Sequence, residues 1–372
     1  QLSWLWLHKK FESLYERLAV LYDQYERLCR GKAQLERHLH LTVLRKATLV
    51  GMTVNALAKH AALVAALGAE VILFDEATDI LEAHSLVTLS AAAKHIILIG
   101  DRQLSRPRTA ATRLSKQFRL PTSLFARLIA AGVEHFALRA QHRMTPPLSR
   151  LLAPLYPSLA DGRGCTLHPA PAIRGVEKRL YFLRHTKPES IEPTVRSRVN
   201  MHEAKFCAAL AAYLVRQGYA PSQITVLTPY AGQLMAIRRE LRGTGMAHIE
   251  QLTVAMIDTY EGEENDLLLV SLVRSSAAGE RSAGGAVRLG AAGAEARIMM
   301  ALSRARQGMY VIGNADVLAA ECKLWDSILH ILKDHNHLGQ FLPLLATRTE
   351  TGKRALVRSG DDFEGVVGEY ER

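Results

Sequence analysis

Cysteine is scarce in this 372-residue chain, and its four copies, Cys29, Cys165, Cys207 and Cys322, stand far apart. Structural zinc sites draw ligands in close pairs and disulfide frameworks need dense cysteine, so neither is indicated, and a reducing compartment is expected. Long apolar runs are also lacking. The longest, Ala61–Phe74, stops at an acidic pair and is shorter than the roughly 20 residues that span a bilayer as a helix. No charged-then-apolar leader opens the chain. It begins with Gln1 rather than methionine, so a fragment or an incomplete gene product is expected. Acidic residues are outnumbered, 36 against 47 Lys and Arg, for a net charge of +11. Such a balance accompanies phosphate-rich partners, but it also occurs on surfaces with no such role. The distribution says more: Gly100 to Arg150 holds ten Lys/Arg against two acids, Asp101 and Glu134.

What is present is a chain of 48% hydrophobic content, long enough for about two domains with real cores. Leu7, Phe11, Leu14, Leu18, Leu21, Tyr25 and Leu28 are spaced 4, 3, 4, 3, 4, 3, an unbroken heptad seam that continues loosely through Leu35 and Leu39. This pattern predicts a long helix packed on a partner helix. Short apolar runs then alternate with helical stretches. Thr48–Met52, Val71–Phe74, His95–Ile99, Arg179–Leu183, Ile224–Leu227, Leu267–Leu272 and Met309–Ile312 read as strands. Ala56–Leu67, Leu81–Leu89, Ser123–Ala131, His202–Gln217 and Gly232–Leu241 read as helices. Strands that are apolar throughout and alternate with helices predict an α/β fold of parallel sheets covered on both faces. The stretch 153–199 is rich in Pro, Gly and charge, and 281–293 is Gly/Ala-rich and reads as a loop.

The chemistry begins at Val71-Ile-Leu-Phe-Asp75-Glu76. An apolar strand ending in two carboxylates is the Walker B arrangement. Asp75 at the strand tip can hold Mg²⁺, directly or through a water, and Glu76 can orient or deprotonate an attacking water. Alone the pair is weak evidence, because strand ends are routinely polar. Further phrases follow in order: Gly100-Asp101-Arg-Gln103-Leu104-Ser-Arg106-Pro107; Gln141-His142-Arg143-Met144; Thr228-Pro229-Tyr230-Ala-Gly-Gln233; Glu261-Gly262-Glu263-Glu264-Asn265-Asp266; and Ala301-Leu302-Ser303-Arg304-Ala305-Arg306.

This ordered series resembles motifs II, III, the QYR element, IV, V and VI of superfamily 1 helicases, in the subgroup of senataxin and the nonsense-mediated-decay helicase. Leu81-Glu-Ala-His84, Gln141–Met144, Gly262–Asp266 and Gly308–Gly313 look most like the large NFX-type zinc-finger-containing helicases. The resemblance covers about residues 48 to 335. It implies two RecA-like parallel-sheet domains, the first incomplete, with an N-terminal helical stalk. The expected limits are 1–46 for the stalk, 47–140 for the C-terminal half of the first domain, 141–335 for the second domain and 336–372 for a C-terminal tail, polar and mobile from Thr347. It further implies ATP and Mg²⁺ in the cleft between the domains, with Asp75 as the metal ligand. Arg143 and Arg304 would reach the γ-phosphate; their alternative reading is as surface ion-pair arginines. Asp101, Gln103, Gln141, His142, Gly262, Glu264 and Arg306 match nucleotide-side positions. His142 stands where relatives carry an adenine-stacking tyrosine, and an imidazole stacks more weakly. Gly51, Met52, Thr53, Arg106, Thr228, Pro229 and Tyr230 match positions that contact the nucleic-acid strand. The expected partner is single-stranded RNA, tracked 5′→3′, with DNA left open. The implied setting is RNA silencing, surveillance or antiviral defence, in the cytoplasm and its RNA granules or in the nucleus.

The pattern is broken in several places. No GxxxxGK[ST] occurs anywhere in the sequence, so the backbone cradle and lysine that hold phosphates are missing from it. In the family that motif lies upstream of the stalk. Counting from Gly100, the γ-phosphate-sensing Gln is replaced by Leu104, with Gln103 one residue early. Glu261 stands where Gln is usual, and Met299 where Asn is usual. Two readings follow: part of an ATP-dependent RNA helicase core, or a degenerate core that binds RNA as a scaffold without turnover.

Overall fold

A computed structural model of the chain describes residues 2–101, 103, 107, 109, 112–167, 170–245, 248–275, 294–345, 354–363 and 366. The chain divides into two compact units, Gln1–Glu134 and His135–Arg372.

The first unit opens with α1 (Leu2–Leu44), the helix that the heptad spacing predicts. Its seam is not packed, however: Phe11, Leu14, Leu18, Leu21, Tyr25 and Leu28 are each more than half exposed. Among the described residues no partner helix covers it. Ion pairs one turn apart, Arg27–Asp23 and Arg30–Glu26, support the helix by a few tenths of a kcal/mol each, about 0.2–0.5. The strand expected over Thr48–Met52 is absent. Leu49 is 88% exposed, and among the described residues none pairs with the segment in a ladder. The helix expected over Ala56–Leu67 is two helices, α2 (Val54–Lys59) and α3 (Ala61–Leu67), divided at His60. Thr53 Oγ1 caps α2 by accepting from the Ala56 N–H at 3.3 Å, and Gly68 ends α3 in the left-handed region at φ 68°. β1 (Val71–Phe74) and β2 (His95–Leu98) then pair in parallel, from Val71↔His95 to Phe74↔Leu98, with α4 (Glu82–Val87) between them. α5 (Leu124–Ala130) is capped by Ser123.

The second unit is built on β3 (Leu180–Arg184), α6 (Met201–Arg216), β4 (Ile224–Thr228), α7 (Ala231–Gly243), β5 (Thr253–Met256), β6 (Asn265–Ser271), α8 (Ala294–Leu302), β7 (Ala305–Gly313), α9 (Ala315–Glu321), α10 (Lys323–Asp334) and β8 (Leu338–Gly339). The sheet order is β8-β3-β7-β6-β4-β5, and every pairing is parallel. Both faces are covered, which is why β4 and β6 are apolar runs rather than alternating patterns; Ile224, Leu227, Leu267 and Leu268 are fully buried. β5 and β8 are too short and too mixed in composition to stand out in the sequence. The loop expected over 281–293 lies outside the described residues.

After 335 the described residues 336–345, 354–363 and 366 contribute to this unit. β8 joins the sheet edge, and β9 (Leu342–Leu345) pairs antiparallel with β10 (Arg354–Val357). Leu342, Leu344, Val357, Phe363 and Val366 are buried in the core, where the Phe363 ring lies 5.6 Å from Phe206 and 5.8 Å from Tyr213. Enough apolar side chains sit among the polar ones to hold the segment against α6.

A buried polar network closes the carboxyl end of this sheet. Glu203 on α6 is fully buried. Its carboxylate accepts from Ser271 Oγ at 2.6 Å and from the Val273 N–H at 2.9 and 3.0 Å, and it meets His185 Nε2 at 2.9 Å. Gln233 on α7 donates to the Asn200 carbonyl and to Ser271 Oγ, and its own carbonyl accepts from the Asn200 N–H. Val273 is held at φ 72°, a strained conformation for a β-branched residue, with its N–H fixed by Glu203. Beside this network, burial, then His185 and Lys187, pull the His202 pKa down to about 4. The unfolded chain therefore binds more protons than the folded one between pH 6.5 and about 4, so this contribution to stability is complete above 6.5 and is lost as pH falls through that window. Urea midpoints of the wild type should drop more steeply from pH 7 to pH 4.5 than those of His202→Gln. Superimposable profiles would remove His202 as the source.

Candidate nucleotide site

In the first unit the carboxylates stand at the carboxyl ends of two parallel strands, the end at which open α/β sheets bind ligands. Asp75 and Glu76 follow β1 directly and are exposed. Asp75 Oδ1 accepts from the Glu76 N–H at 3.1 Å, and Glu76 takes a left-handed φ of 47° that turns the chain sharply off the strand. The tip of β2 is stitched alongside: the Ala77 N–H donates to the Ile99 carbonyl at 2.7 Å. Gly100 closes the approach, because a Cβ there would lie 3.1 Å from the Thr78 backbone nitrogen. The fold thus brings Asp75, Glu76 and Asp101 to one end of the sheet. Asp101 Oδ1 accepts from the Gln103 N–H at 2.8 Å, which orders the turn and leaves Gln103 exposed. Leu104 and Arg106 lie outside the described residues.

Exposed carboxylates on a strand tip suit Mg²⁺, which binds through one or two carboxylates and takes its other oxygens from water and phosphate. Among the described residues no group of three or more His, Cys, Asp or Glu gathers as an all-protein cage. Asp75 and Glu76 therefore fit a metal that arrives with a nucleotide. Gly51 and Thr53 are exposed and Met52 partly so, with Thr53 already engaged as the cap of α2.

In the second unit the arginines gather at the amino ends of β6 and β7. Arg143 Nε pairs with Glu264, and its Nη1 donates to the Ser303 carbonyl at 3.1 Å. Arg306 Nη1 meets the other oxygen of Glu264 at 3.4 Å, and its Nε donates to Asp266 at 2.8 Å. Arg304 Nε donates to the Met300 carbonyl at 3.1 Å, and its own carbonyl accepts from the Asn265 N–H. Glu264 thus lies between the guanidinium groups of Arg143 and Arg306, and Arg306 also reaches Asp266. The pairs are half-exposed, so each adds only about 0–1 kcal/mol to stability; an arrangement that stabilises so little is readily exchanged for a polyanion. Gly262, at φ 80°, makes the turn into β6, a conformation that suits glycine.

Gln141 is internally saturated. Its Oε1 accepts from the Arg143 and Met144 N–H groups at 2.9 and 2.7 Å, while its Nε2 donates to the Met144 carbonyl and to Asp161. It shapes the turn that carries Arg143. His142 is exposed and packs over Gly162. Thr228 and Tyr230 are buried and Pro229 is partly so; Tyr230 lies beside Arg274, and burial raises its phenol above the ordinary range. As placed, Thr228 and Tyr230 pack the end of β4 and present almost no surface to a strand.

Asp161, Gly162 and the Arg297–Asp258 pair (2.6 Å) were not marked by any sequence signal. All three are set by contacts between segments 20 or more residues apart.

The AAA domain family supplies one model that matches residues 120–316 and a second that matches 6–105. The mouse NFX1-type zinc finger-containing protein 1 is 38% identical over 98% of this chain and 18% of its own length. The Schizosaccharomyces pombe helicase required for RNAi-mediated heterochromatin assembly 1 is 32% identical over 91% of this chain and 33% of its own length. The Dictyostelium discoideum regulator of nonsense transcripts 1 is 30% identical over 72% of this chain and 20% of its own length. The chain therefore spans between about a sixth and a third of these relatives. Among the described residues no helix is long and apolar enough to cross a membrane. With a matching model over more than half its length and the motif residues gathered as above, the chain belongs to the superfamily 1 helicases of the NFX1 and Upf1 type, with RecA-like α/β architecture.

Proposed function

We propose that this chain is part of an ATP-dependent RNA helicase core that couples nucleotide hydrolysis to movement along single-stranded RNA. The observation that carries the reading is the pairing of Arg143 and Arg306 with Glu264 at the strand ends of the second unit, where Arg304 opens β7 beside them in the chain. Phosphoryl transfer spreads charge over the equatorial oxygens, and positioned guanidinium groups meet it. Asp75 would hold a Mg²⁺ ion, which would supply charge neutralisation to the nucleotide's phosphates, and Glu76 would orient the attacking water. His142 offers a ring face to the base. RNA surveillance or silencing is the setting that the relatives' names support; a cytoplasmic location, RNA granules included, or a nuclear one belongs to the same proposal.

A second reading is a core that binds RNA without turnover. Leu104 and Glu261 favour it. The 372-residue chain alone is expected to hydrolyse no ATP, since no residue in it supplies the phosphate cradle. One comparison separates the readings: ATP turnover with and without single-stranded RNA, in a protein that carries this core together with a Gly-Lys-Ser/Thr loop. The motor reading requires RNA-stimulated turnover that Glu76→Gln lowers by about 10²–10⁴-fold, the range for a general base. Equal turnover in the two would remove Glu76 from that role. RNA binding with no turnover would establish the scaffold.

A further inference from the structure

Arg143 and His142 sit on a short turn, and that turn is held by a segment 20 residues further on. Ala140 and Gln141 pair in parallel with Ala160 and Asp161. The Ala160 and Gly162 N–H groups donate to the Arg139 and Gln141 carbonyls, each at 2.8 Å. Asp161 Oδ1 takes one Gln141 Nε2 hydrogen at 2.6 Å and the Met144 carbonyl takes the other at 2.7 Å, while Gln141 Oε1 accepts from the N–H groups of Arg143 and Met144. An amide has two donors and two acceptor sites, so Gln141 is used in full and keeps nothing for a ligand. It also cannot turn over: a flipped amide would point its oxygen at the Asp161 carboxylate and its NH₂ at two N–H donors. Asp161 therefore selects the amide orientation that folds the turn. Gly162 completes the cradle, because a Cβ there would collide with the His142 ring and lie 2.9 Å from the Gln141 carbonyl, which is backbone and cannot yield.

We propose that Asp161 is a positioning residue: through Gln141 it orients the turn that aims Arg143, while Gly162 leaves the space that seats the His142 ring. The inference deepens the nucleotide reading given above and rests on it for the purpose of the turn, but the relay itself is testable without nucleotide. Asparagine at 161 keeps an acceptor for Gln141, whereas alanine removes it.

The experiment uses the whole chain as wild type, Asp161→Asn, Asp161→Ala and Gly162→Ala. Three quantities are measured: amide hydrogen exchange at Arg143 and Met144, the NMR signal of the Arg143 Nε–H, and binding of a fluorescent ATP analogue. Asp161→Ala should lower protection of both amides by about tenfold, the worth of roughly one hydrogen bond, and should shift or broaden the Arg143 Nε–H signal. Amides of β6 and β7 should keep their protection, and Asp161→Asn should restore both signatures. Gly162→Ala should displace the His142 ring signals and leave β6 and β7 unchanged. Unchanged Arg143 signatures in Asp161→Ala overturn the proposal. So does loss of protection throughout the unit, which would make Asp161 a general structural residue, and so does failure of asparagine to rescue. If the wild type binds the analogue, Asp161→Ala should weaken it by about tenfold, and unaltered affinity also overturns the proposal. If a wild-type protein that joins this core to a Gly-Lys-Ser/Thr loop binds no analogue while the Arg143 signatures respond as stated, the relay stands and the nucleotide reading is what has failed.

Discussion

Glu203→Ala is expected to lower the unfolding free energy of the second unit by about 3–5 kcal/mol, the range for breaking a buried charged network by removing one partner. The magnitude follows from what would be left behind. The Ser271 hydroxyl, the Val273 N–H and the His185 ring all direct polar groups at a carboxylate that has no solvent exposure. With alanine those groups stay buried and lose their partner, each at a cost of about 1–3 kcal/mol. Val273 is the most sensitive of them, since its left-handed conformation is held from that carboxylate. Glu203→Gln keeps an acceptor and should cost about half as much. Urea unfolding at pH 7 measures both. A loss under about 1 kcal/mol for alanine would mean that water enters the site and satisfies the abandoned donors. Because native domains are stable by only about 5–15 kcal/mol, the expected loss takes a large share of the whole.

That network marks the boundary of what a sequence discloses. β3, β4, β6 and β7 were legible because strands buried on both faces must be apolar throughout, and α6 and α7 because they follow with helical spacing. β1 and β2 were legible as apolar runs too, although Val71, Leu73, Ile96 and Ile97 are about half exposed. The same rule misled at Thr48–Met52, where an apolar look came without a pairing partner and Leu49 ended in solvent. His60 went unnoticed as the break between α2 and α3, since one residue of mixed propensity hardly alters a window average. The hairpin after β8 was hidden among polar residues; only its alternation in Leu342 and Leu344 buries, and the partner Val357 is 13 to 15 residues away.

The candidate site divides in the same way. Asp75, Glu76, Arg143, Glu264 and Arg304 could be named because local phrases carry them, and the fold does set Arg143 against Glu264 across 121 residues. What the phrases do not convey is how each side chain is spent. Gln141 looks like a ligand group and is consumed in its own turn; Thr228 and Tyr230 look like strand contacts and are interior. Asp161 has no phrase at all, because its role exists only through a pairing between Gln141 and a segment rich in Gly and charge.

In a protein that joins this core to a phosphate-binding loop, Arg304→Ala should lower kcat for ATP by about 10³-fold or more, the scale on which an arginine meeting the transferred phosphoryl contributes. Arg304 stands between α8 and β7, with its Nε tied to the Met300 carbonyl and its backbone carbonyl tied to Asn265 at the start of β6. A guanidinium held through its Nε on a residue whose backbone is also tied needs little reorganisation as charge develops, which is the condition under which such a group acts on the barrier rather than on substrate binding. kcat and kcat/KM should then fall by similar factors, as they do when the lost interaction is made only in the transition state. Arg304→Lys should recover little, since an ammonium supplies neither the planar fork nor the bond to Met300 in the same geometry. Arg143→Ala should act in the same direction, and Glu264→Gln less, because Arg143 would still be held by the Ser303 carbonyl. Single-stranded RNA affinity measured at one fixed salt concentration serves as the control and should change little in Arg304→Ala. Equal losses in RNA affinity and in turnover would place Arg304 on the strand rather than on the phosphoryl group, and the assignment of the second unit's arginines to nucleotide would have to be abandoned.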